Sequence, residues 1–198
     1  MTQISSISNN ASDEERILRK VVSIHCKALA DDLLPKLGKE YLLRTFYPTI
    51  LQESDSLLLV EEDNDSVRGF ILVANPANAY SHLRTGKRLS HLLSAALIRP
   101  NTWIDLIGAA YSKTHPPLTL PSSTFEIVAL AVHPDFQRKG IGKILVSSAL
   151  SRINNQSLLT KTSSDAALKF YFELGFTKIG VESRINKQLN VLKYTCPS

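Results

Sequence analysis

The run from 125 to 154 constrains this chain most, because an apolar strand leads there through a glycine-containing loop into a helix. Phe125 to Val132 is a near-continuous apolar run, long enough for a buried central strand. The loop Gln137 to Lys143 follows it, and a helix is predicted from about Gly140 to Asn154. Glycines let successive backbone N–H groups converge, and a helix N-terminus adds partial positive charge. This order of elements predicts an anion-binding site suited to a pyrophosphate.

Spacing excludes two other phosphate-binding motifs. The Walker pattern requires a glycine five residues before its Gly-Lys pair, and Gln137 stands there before Gly142 and Lys143. The dinucleotide fingerprint needs three glycines, whereas this loop has two. Arg138 and Lys139 add formal charge beside the glycines. Because a Gly-x-Gly pair is weak by itself, the assignment depends on a longer pattern.

Two longer sequence patterns support the assignment of an anion site. Leu130 to Gly142, reading L-A-V-H-P-D-F-Q-R-K-G-I-G, resembles the acetyl-CoA motif of the GNAT superfamily of N-acyltransferases. Ala167 to Phe176, reading A-L-K-F-Y-F-E-L-G-F, resembles the helix A-x-x-x-Y-x-x-x-G-F of the same superfamily. The resemblance implies a mixed α/β (α+β) domain. Its central sheet would be mostly antiparallel, with about six to seven strands and about four flanking helices.

The resemblance also implies how an acyl-CoA, such as acetyl-CoA, is held as co-substrate. The backbone of Leu130, Ala131 and Val132 would pair with pantetheine like an added strand, and a splay there would direct an amide at the thioester carbonyl. Ser164 stands where the family often has a cofactor-contacting Asn, and it can still cap a helix and donate one hydrogen bond. The implied pyrophosphate-binding residues are Gln137, Arg138, Lys139, Gly140, Ile141, Gly142 and Lys143.

Two residues match catalytic positions of the family. Tyr171 would protonate the departing thiolate, although a buried core aromatic on the apolar face of its helix is the alternative. Glu126 lies on the central strand where family members place the base that deprotonates the amine, and burial would raise its pKa. The alternative is a solvent-facing or ion-paired residue at the strand entry. His133 is a competing base, but its place before Pro134 favours a turn residue.

The implied reaction is direct acyl transfer to a primary amine within a ternary complex, without a covalent enzyme intermediate. The segment Leu34 to Tyr47 resembles a stretch in GNAT members that act on nucleotide-linked amino sugars, so a small amine of that kind is the expected acceptor. A protein or peptide N-acetyltransferase and a non-catalytic acyl-CoA-binding module stay open as alternatives.

Composition restricts the partners and the compartment. The chain has 198 residues, with 23 Lys and Arg against 18 Asp and Glu, and its net charge of +5 favours anionic ligands. No long basic run or aromatic-basic alternation indicates nucleic acid. No apolar window of membrane-spanning length and no secretory signal is present. Cys26 and Cys196 read as reduced thiols, so a cytoplasmic protein is expected. The scattered histidines support no metal site, and the sequence leaves homodimer formation open.

The rest of the chain is expected to complete one domain over 1–198. Two helices are predicted first, from Asp13 to Ala30 behind Ser12 as N-cap, and from about Lys36 to Leu51. A strand hairpin and an insertion over 76–122 follow, and the insertion is where we expect the acceptor pocket to gain walls. The predicted pieces are strands 57–60 and 67–74 around an acidic turn 61–66, insertion helices 89–98 and 103–111 with a loop 115–121, strands 158–161, 176–182 and 188–195, and a helix capped by Ser164 and ended by Gly175.

Overall fold

The computed structural model describes residues 3–6, 11–64, 66–76, 107, 113–115, 124–154, 156–185 and 187–195. The strands among these residues are β1 Gln3–Ser6, β2 Ser56–Asp63, β3 Ser66–Ala74, β4 Lys113–His115, β5 Phe125–Val132, β6 Leu158–Thr162, β7 Thr177–Ser183 and β8 Gln188–Tyr194. They form one sheet in the order β1-β2-β3-β5-β6-β8-β7-β4, and β5 with β6 is the parallel pair among the described strands. The predicted mixed α/β fold class is therefore confirmed.

Helices cover both faces of this sheet. One buried cluster joins the helices before β2 to alternate residues of β2, β3 and β5, while a second joins the later helices to the opposite side of those strands. The helices are α1 Ala11–Ala28, α2 Leu33–Leu37, α3 Lys39–Tyr41, a π-helix Leu42–Phe46, α4 Tyr47–Ile50, a 3₁₀ turn Pro134–Phe136, α5 Ile141–Arg152 and α6 Asp165–Glu173. We call the two sides of the sheet the α1–α4 face and the α5–α6 face, after the helices that cover them.

The first two predicted helices need correction. The first begins at Ala11, so Ser12 lies inside it rather than at its N-cap. The predicted second helix is interrupted at Gly38, whose φ of 100° ends α2. It then widens into the π-helix before Pro48, because proline lacks the N–H for an i→i−4 bond and its ring clashes with the carbonyl four residues back.

The strand hairpin is longer than its apolar pattern indicates. The predicted acidic turn is mostly strand, because Glu61 to Asp63 continue β2 and pair with β3. Glu61 is fully buried, and its carboxylate forms an ion pair with the Arg68 guanidinium, which Asp63 also contacts at 3.2 Å. A paired carboxylate can remain in a strand interior, which an apolar-run criterion does not detect.

Two short strands at the sheet's edges, β1 and β4, lie beyond the six strands that the sequence placed. β1 pairs with β2, and β4 pairs with β7. β4 includes His115, which the sequence placed in a loop. Of the predicted insertion 76–122, the structure describes Pro76, Ile107 and β4. Apart from Ile107, the two predicted insertion helices lie outside the described residues.

Strands β5 and β6 part soon after they meet. Their parallel pairing consists of Phe125 with Leu158 and Glu126 with Leu159. On its other side β5 stays paired with β3 as far as Val132, with one register shift opposite Leu72 and Val73. Within the described part of the chain, the β6 side of β5 is therefore unpaired beyond Glu126, and we call the resulting gap the β5–β6 opening. It is the feature of the fold that positions the candidate site.

Candidate functional site

Backbone N–H groups collect at the start of α5. Arg138 and Gly140 both adopt left-handed conformations, at φ 60° and 81°, and Gly140 is the helix N-cap without a side-chain capping bond. The first intrahelical bond is donated by Ile144 to Gly140 O, so the N–H groups of the first turn have no intrahelical acceptor. Alternating conformations of this kind form a concave set of donors, which suits an anion.

Close packing places this turn against its neighbours. A Cβ on Gly142 would lie 3.3 Å from the Phe170 ring of α6, so the ring would have to shift by a few tenths of an ångström to admit one. Ile141 is buried beneath the turn, whereas Arg138, Lys139 and Lys143 are exposed. The side chains of the turn are therefore divided between core and solvent, and its backbone donors lie between them.

The β5 backbone directs donors into the opening. His133 N donates to Arg68 O at 2.8 Å, so His133 and, by strand alternation, Ala131 face β3. Leu130 and Val132 therefore direct their backbone groups toward the β5–β6 opening. Of the three residues expected to pair with pantetheine, Leu130 and Val132 therefore have backbone groups available to an added strand, whereas those of Ala131 are directed to β3.

The turn between β5 and the loop is held by its own polar groups. Gln137 Nε2 donates to Val132 O at 3.2 Å, and Gln137 N donates to Pro134 O at 3.3 Å. His133 Nδ1 accepts from Asp135 N at 3.4 Å and caps the 3₁₀ turn. His133 thus occupies the turn position favoured by its sequence. The backbone N–H and one side-chain N–H of Gln137 are therefore engaged within the protein, while these bonds do not use the second N–H of its amide group.

A cation–π stack joins the hairpin to the loop. Phe136 lies between the Arg68 guanidinium, 5.9 Å from the ring centroid, and the Lys139 ammonium at 5.1 Å. Arg68 is itself held by Glu61 through a 2.9 Å hydrogen bond from Nε. The buried carboxylate therefore orients a residue that packs against the loop. The acidic composition around Glu61 suggested a turn and concealed this role.

Tyr171 lies on the α5–α6 face of the opening. It packs at 5.1 Å between ring centroids against both Phe170 and Phe176, and its side chain is buried. Burial raises the pKa of Tyr171 to about 12, and a hydrogen bond with Thr160 partly opposes that shift. Thr160 follows Leu159, the last β6 residue paired with β5. Tyr171 thus lies in the core as the alternative expected, while its hydroxyl is beside the opening and stays protonated near neutral pH.

Glu126 lies on the α1–α4 face at the apex of the same opening. It is 3% exposed, and Oε2 lies 3.3 Å from Lys161 Nζ. That ion pair lacks hydrogen-bond alignment, and Oε2 accepts no hydrogen bond from the described residues. Burial raises the pKa of Glu126, with the nearby Glu182 charge adding to the rise and Lys161 and Arg184 opposing it. A carboxylate in this setting is a candidate proton acceptor.

Lys161 connects Glu126 to a second buried carboxylate. Its Nζ lies 3.2 Å from Glu182 Oε2, and Arg184 Nε lies 2.7 Å from Glu182 Oε1. Burial favours protonated Glu182, but Lys161 and Arg184 outweigh it and lower the pKa of that carboxyl. The sequence analysis did not select Lys161, Glu182 or Arg184. Charged residues within or beside predicted strands are the signal that could have identified them.

The turn between α1 and α2 approaches the same charged residues. Asp32 is exposed, and partial desolvation by the neighbouring protein raises the pKa of its carboxyl, while the positive charges of Lys187, Lys36 and Arg184 act against that rise. Asp32 precedes α2, and Lys187 precedes β8. β4 pairs with β7 through Thr114 and Glu182, so β4 lies next to the strand that carries one of the charged residues. These elements border Glu126 on the side away from Tyr171.

Ser164 caps α6 as predicted. Its Oγ accepts from Ala167 N at 3.3 Å, while its own hydroxyl hydrogen can still be donated. The predicted end of this helix is also confirmed, since Gly175 follows it at φ 87°. Among the described residues, no His, Cys, Asp and Glu side chains form a group that could hold a metal ion. No described helix has the length and hydropathy of a membrane span.

The fold and the site place a sheet opening beside a helix start whose backbone donors suit an anion. Residues 110–196 match the family model described as an acetyltransferase (GNAT) domain. That part of the chain carries both motifs, so the match agrees with the GNAT resemblance that they predicted. A comparison with curated proteins by sequence gives no match.

Solved structures with the same fold cover almost the whole chain. The ribosomal-protein-S18-alanine N-acetyltransferase from Escherichia coli is 15% identical, with a TM-score of 0.59 over 100% of this chain and 96% of that chain. The PaiA N-acetyltransferase from Thermoplasma acidophilum, in complex with coenzyme A, is 12% identical, with a TM-score of 0.58 over 98% and 99%. An aminoglycoside 6'-N-acetyltransferase complexed with coenzyme A is 13% identical, with a TM-score of 0.60 over 99% and 98%. At such identities these similarities establish the fold.

Proposed function

We propose that this chain is an acetyl-CoA-dependent N-acyltransferase that moves the acyl group directly to a primary amine. One observation carries the proposal. The β5–β6 opening has a protonated phenol, Tyr171, on its α5–α6 face and a buried carboxyl, Glu126, on its α1–α4 face. A proton donor and a proton acceptor on opposite sides of one gap suit a transfer in which a thiolate leaves and an amine attacks.

The described residues fit acyl-CoA in two places. The N–H groups of Arg138 to Lys143 would hold the pyrophosphate, and the exposed Arg138, Lys139 and Lys143 add positive charge. The N–H groups of Leu130 and Val132, directed into the opening, would bond to the pantetheine chain. Ser164 would add one side-chain donor at the start of α6. When bound, acyl-CoA supplies the activated acyl group as a thioester.

Each catalytic candidate then performs one proton transfer. Glu126 accepts a proton from the acceptor ammonium, directly or through a water, so the amine can attack the acyl carbon. The backbone N–H beside the opening stabilises the negative charge on the acyl oxygen. Tyr171 donates its hydroxyl proton to the thiolate as it leaves, and the second proton that the attacking nitrogen loses as the amide forms returns to the phenolate of Tyr171. At a pKa of about 12 the phenol is a weaker acid than an exposed tyrosine, so hydrogen bonding to the thiolate is a substantial part of its contribution.

The acceptor enters, in this proposal, from the α1–α4 face. Asp32, Arg184 and Lys187 border that side, whereas α5 and α6 cover the other. We propose a small molecule as acceptor, with a nucleotide-linked amino sugar as the first candidate because of the Leu34 to Tyr47 resemblance. Several residues of that segment, including Tyr41, Leu42 and Tyr47, are buried in the core. They therefore support the helices that border the site rather than contacting an acceptor.

Thiol release from acetyl-CoA tests the proposal. The purified protein is assayed with nucleotide-linked amino sugars, polyamines, aminoglycosides and free-amine peptides, with Tyr171→Phe in parallel. We expect turnover with one amine class and a loss of about tenfold to a hundredfold in kcat for Tyr171→Phe, because a general acid of this kind contributes in that range or above. Turnover with peptides alone would transfer the assignment to a protein or peptide acceptor. Tight coenzyme A binding without turnover across the panel would instead favour a binding module.

A further inference from the structure

One lysine links the two buried carboxylates of the site. Lys161 Nζ lies 3.3 Å from Glu126 Oε2 and 3.2 Å from Glu182 Oε2. Its side chain is 23% exposed, while those of Glu126 and Glu182 are 4% and 5% exposed. Neither sequence motif includes Lys161. Its position therefore requires an explanation beyond the family pattern.

The lysine is attached to β6 just past the apex of the opening. Leu159 is the last β6 residue paired with β5, opposite Glu126, and Lys161 is the next residue on the same face. Its ammonium contacts the β5 carboxylate at the point where the two strands part. Thr160, the residue between, directs its hydroxyl to Tyr171 on the other face. Consecutive β6 residues thus contact the two catalytic candidates.

We propose that Lys161 is a positioning residue of the acyl-transfer site, holding the Glu126 carboxylate at the opening and joining it to Glu182 and Arg184 on the acceptor side. The proposal rests on the proposed function, in which Glu126 accepts the proton. It adds a residue that acts through Glu126 and does not touch the reacting atoms. Arg184 is the fourth charged residue of this group, because its Nε lies 2.7 Å from Glu182 Oε1.

The electrostatic reason is the cost of burying a charge. A carboxylate as buried as Glu126 loses most of its hydration, and without a nearby cation it would remain protonated and could not accept a proton. Lys161 favours the charged form, whereas Glu182 disfavours it. Burial disfavours the charged form of Lys161, but Glu126 and Glu182 outweigh that effect and raise the pKa of the ammonium. Among the described residues, the charges acting on Glu126 are Lys161 from β6, Glu182 from β7 and Arg184 after β7.

Carbon-13 NMR of the Glu carboxyl groups in the full-length chain tests this without requiring activity. The Glu126 signal is assigned by its loss in Glu126→Gln and then titrated in each variant. We expect Lys161→Met to raise the Glu126 pKa by about one pH unit or more, since a close opposite charge shifts it by that amount. Glu182→Gln should lower it, because a like charge is removed. Lys161→Arg should keep the wild-type value, and Lys178→Met, at an exposed β7 lysine, serves as the matched control.

The pH profile of kcat/KM then separates this inference from the proposed function. With a turned-over acceptor, the acid limb should move in Lys161→Met as far as the NMR pKa does, and Lys161→Arg should restore it. An unchanged Glu126 pKa in Lys161→Met overturns the role of Lys161, whatever the activity. If the NMR pKa moves while the acid limb does not, Glu126 is not the base, and both its assignment and the role of Lys161 are overturned. Should Lys161→Met fail to fold, the opposite shift in Glu182→Gln still decides the inference.

Discussion

The two faces of the sheet use different parts of the chain to build their halves of the site. On the α5–α6 face, the donors are backbone N–H groups of neighbouring residues from Arg138 to Lys143. On the α1–α4 face, the charges are side chains from separate strands, Glu126, Lys161 and Glu182. Backbone N–H donors remain when most side chains are substituted, whereas the set of charged side chains changes with every substitution of one of its members. Under the proposed function, we therefore expect cofactor binding to depend on the loop conformation, and the reaction with the acceptor amine to depend on the balance of buried charges.

The largest expected effect tests the α1–α4 face. Glu126→Gln should lower kcat by about a hundredfold to ten-thousandfold, the usual contribution of a general base, and should abolish the acid limb of the pH profile. Coenzyme A affinity should be unchanged, because the anion site lies on the other face. Glu173→Gln, at an exposed carboxylate of α6, is the control. Steady-state kinetics and calorimetric coenzyme A titration measure the two quantities. Equal losses of kcat and of coenzyme A affinity would contradict the assignment of separate roles to the two faces.

Acid should lower the free energy of unfolding through a buried histidine in the core of the α1–α4 face. His25 is buried, its Nδ1 lies 2.8 Å from the Tyr47 hydroxyl, and burial lowers its pKa from 6.5 to about 4. The unfolded chain therefore binds a proton between these values that the folded chain does not. Since each pH unit is worth about 1.4 kcal/mol, His25 should remove up to about 3 kcal/mol from the free energy of unfolding as pH falls from 6.5 to 4.

Urea unfolding across that pH range measures this loss. His25→Gln keeps a polar partner for Tyr47 but does not titrate there, so its stability should fall less steeply with acid than that of the wild type. Carboxylates such as Glu182 also contribute to acid sensitivity, and they do so in both proteins. Parallel curves for the two proteins would show that His25 is protonated in the folded state.

A matched pair of glycine substitutions sharpens the comparison from the α5–α6 face. Gly140 and Gly175 both have left-handed conformations, at φ 81° and 87°. An alanine in that conformation costs about 1 to 2 kcal/mol, so each substitution should lower stability by a similar amount. Only Gly140→Ala should also weaken coenzyme A binding, by about tenfold, because it alters the donor set of the turn. Calorimetric titration that finds equal affinities for both variants would disprove the backbone origin of the anion site.

The smallest effect should come from the hydroxyl beside Tyr171. Thr160→Val preserves the side-chain shape and removes the hydrogen bond to the phenol. One such bond contributes about 1 kcal/mol, so kcat should fall about fivefold with little change in coenzyme A affinity. Thr177→Val, whose hydroxyl bonds to the Lys193 carbonyl at 3.3 Å away from the opening, is the control. Identical kinetics for Thr160→Val and the wild type would indicate that Tyr171 acts only as a core aromatic residue.

Sequence reasoning was most accurate where neighbouring residues determine the structure. β5 runs from Phe125 to Val132 as predicted, and the ends of α6 follow from Ser164 and Gly175. It was least accurate where distant pairing compensates an unfavourable local pattern. Glu61 looked like part of a turn until its ion pair with Arg68 was seen, and the short edge strands lacked an apolar run.

The sequence by itself predicted the GNAT resemblance, a loop and helix start suited to an anion, and the candidate pair Tyr171 and Glu126. Those features depend on residue types within a few positions of one another, where backbone conformation and helix capping are local. Only the tertiary structure decided that Lys161 and Glu182 meet Glu126, and that Glu126 and Tyr171 lie on opposite faces of one opening. The reason is the strand order β5-β6-β8-β7, which brings distant segments side by side and lets buried charges compensate one another.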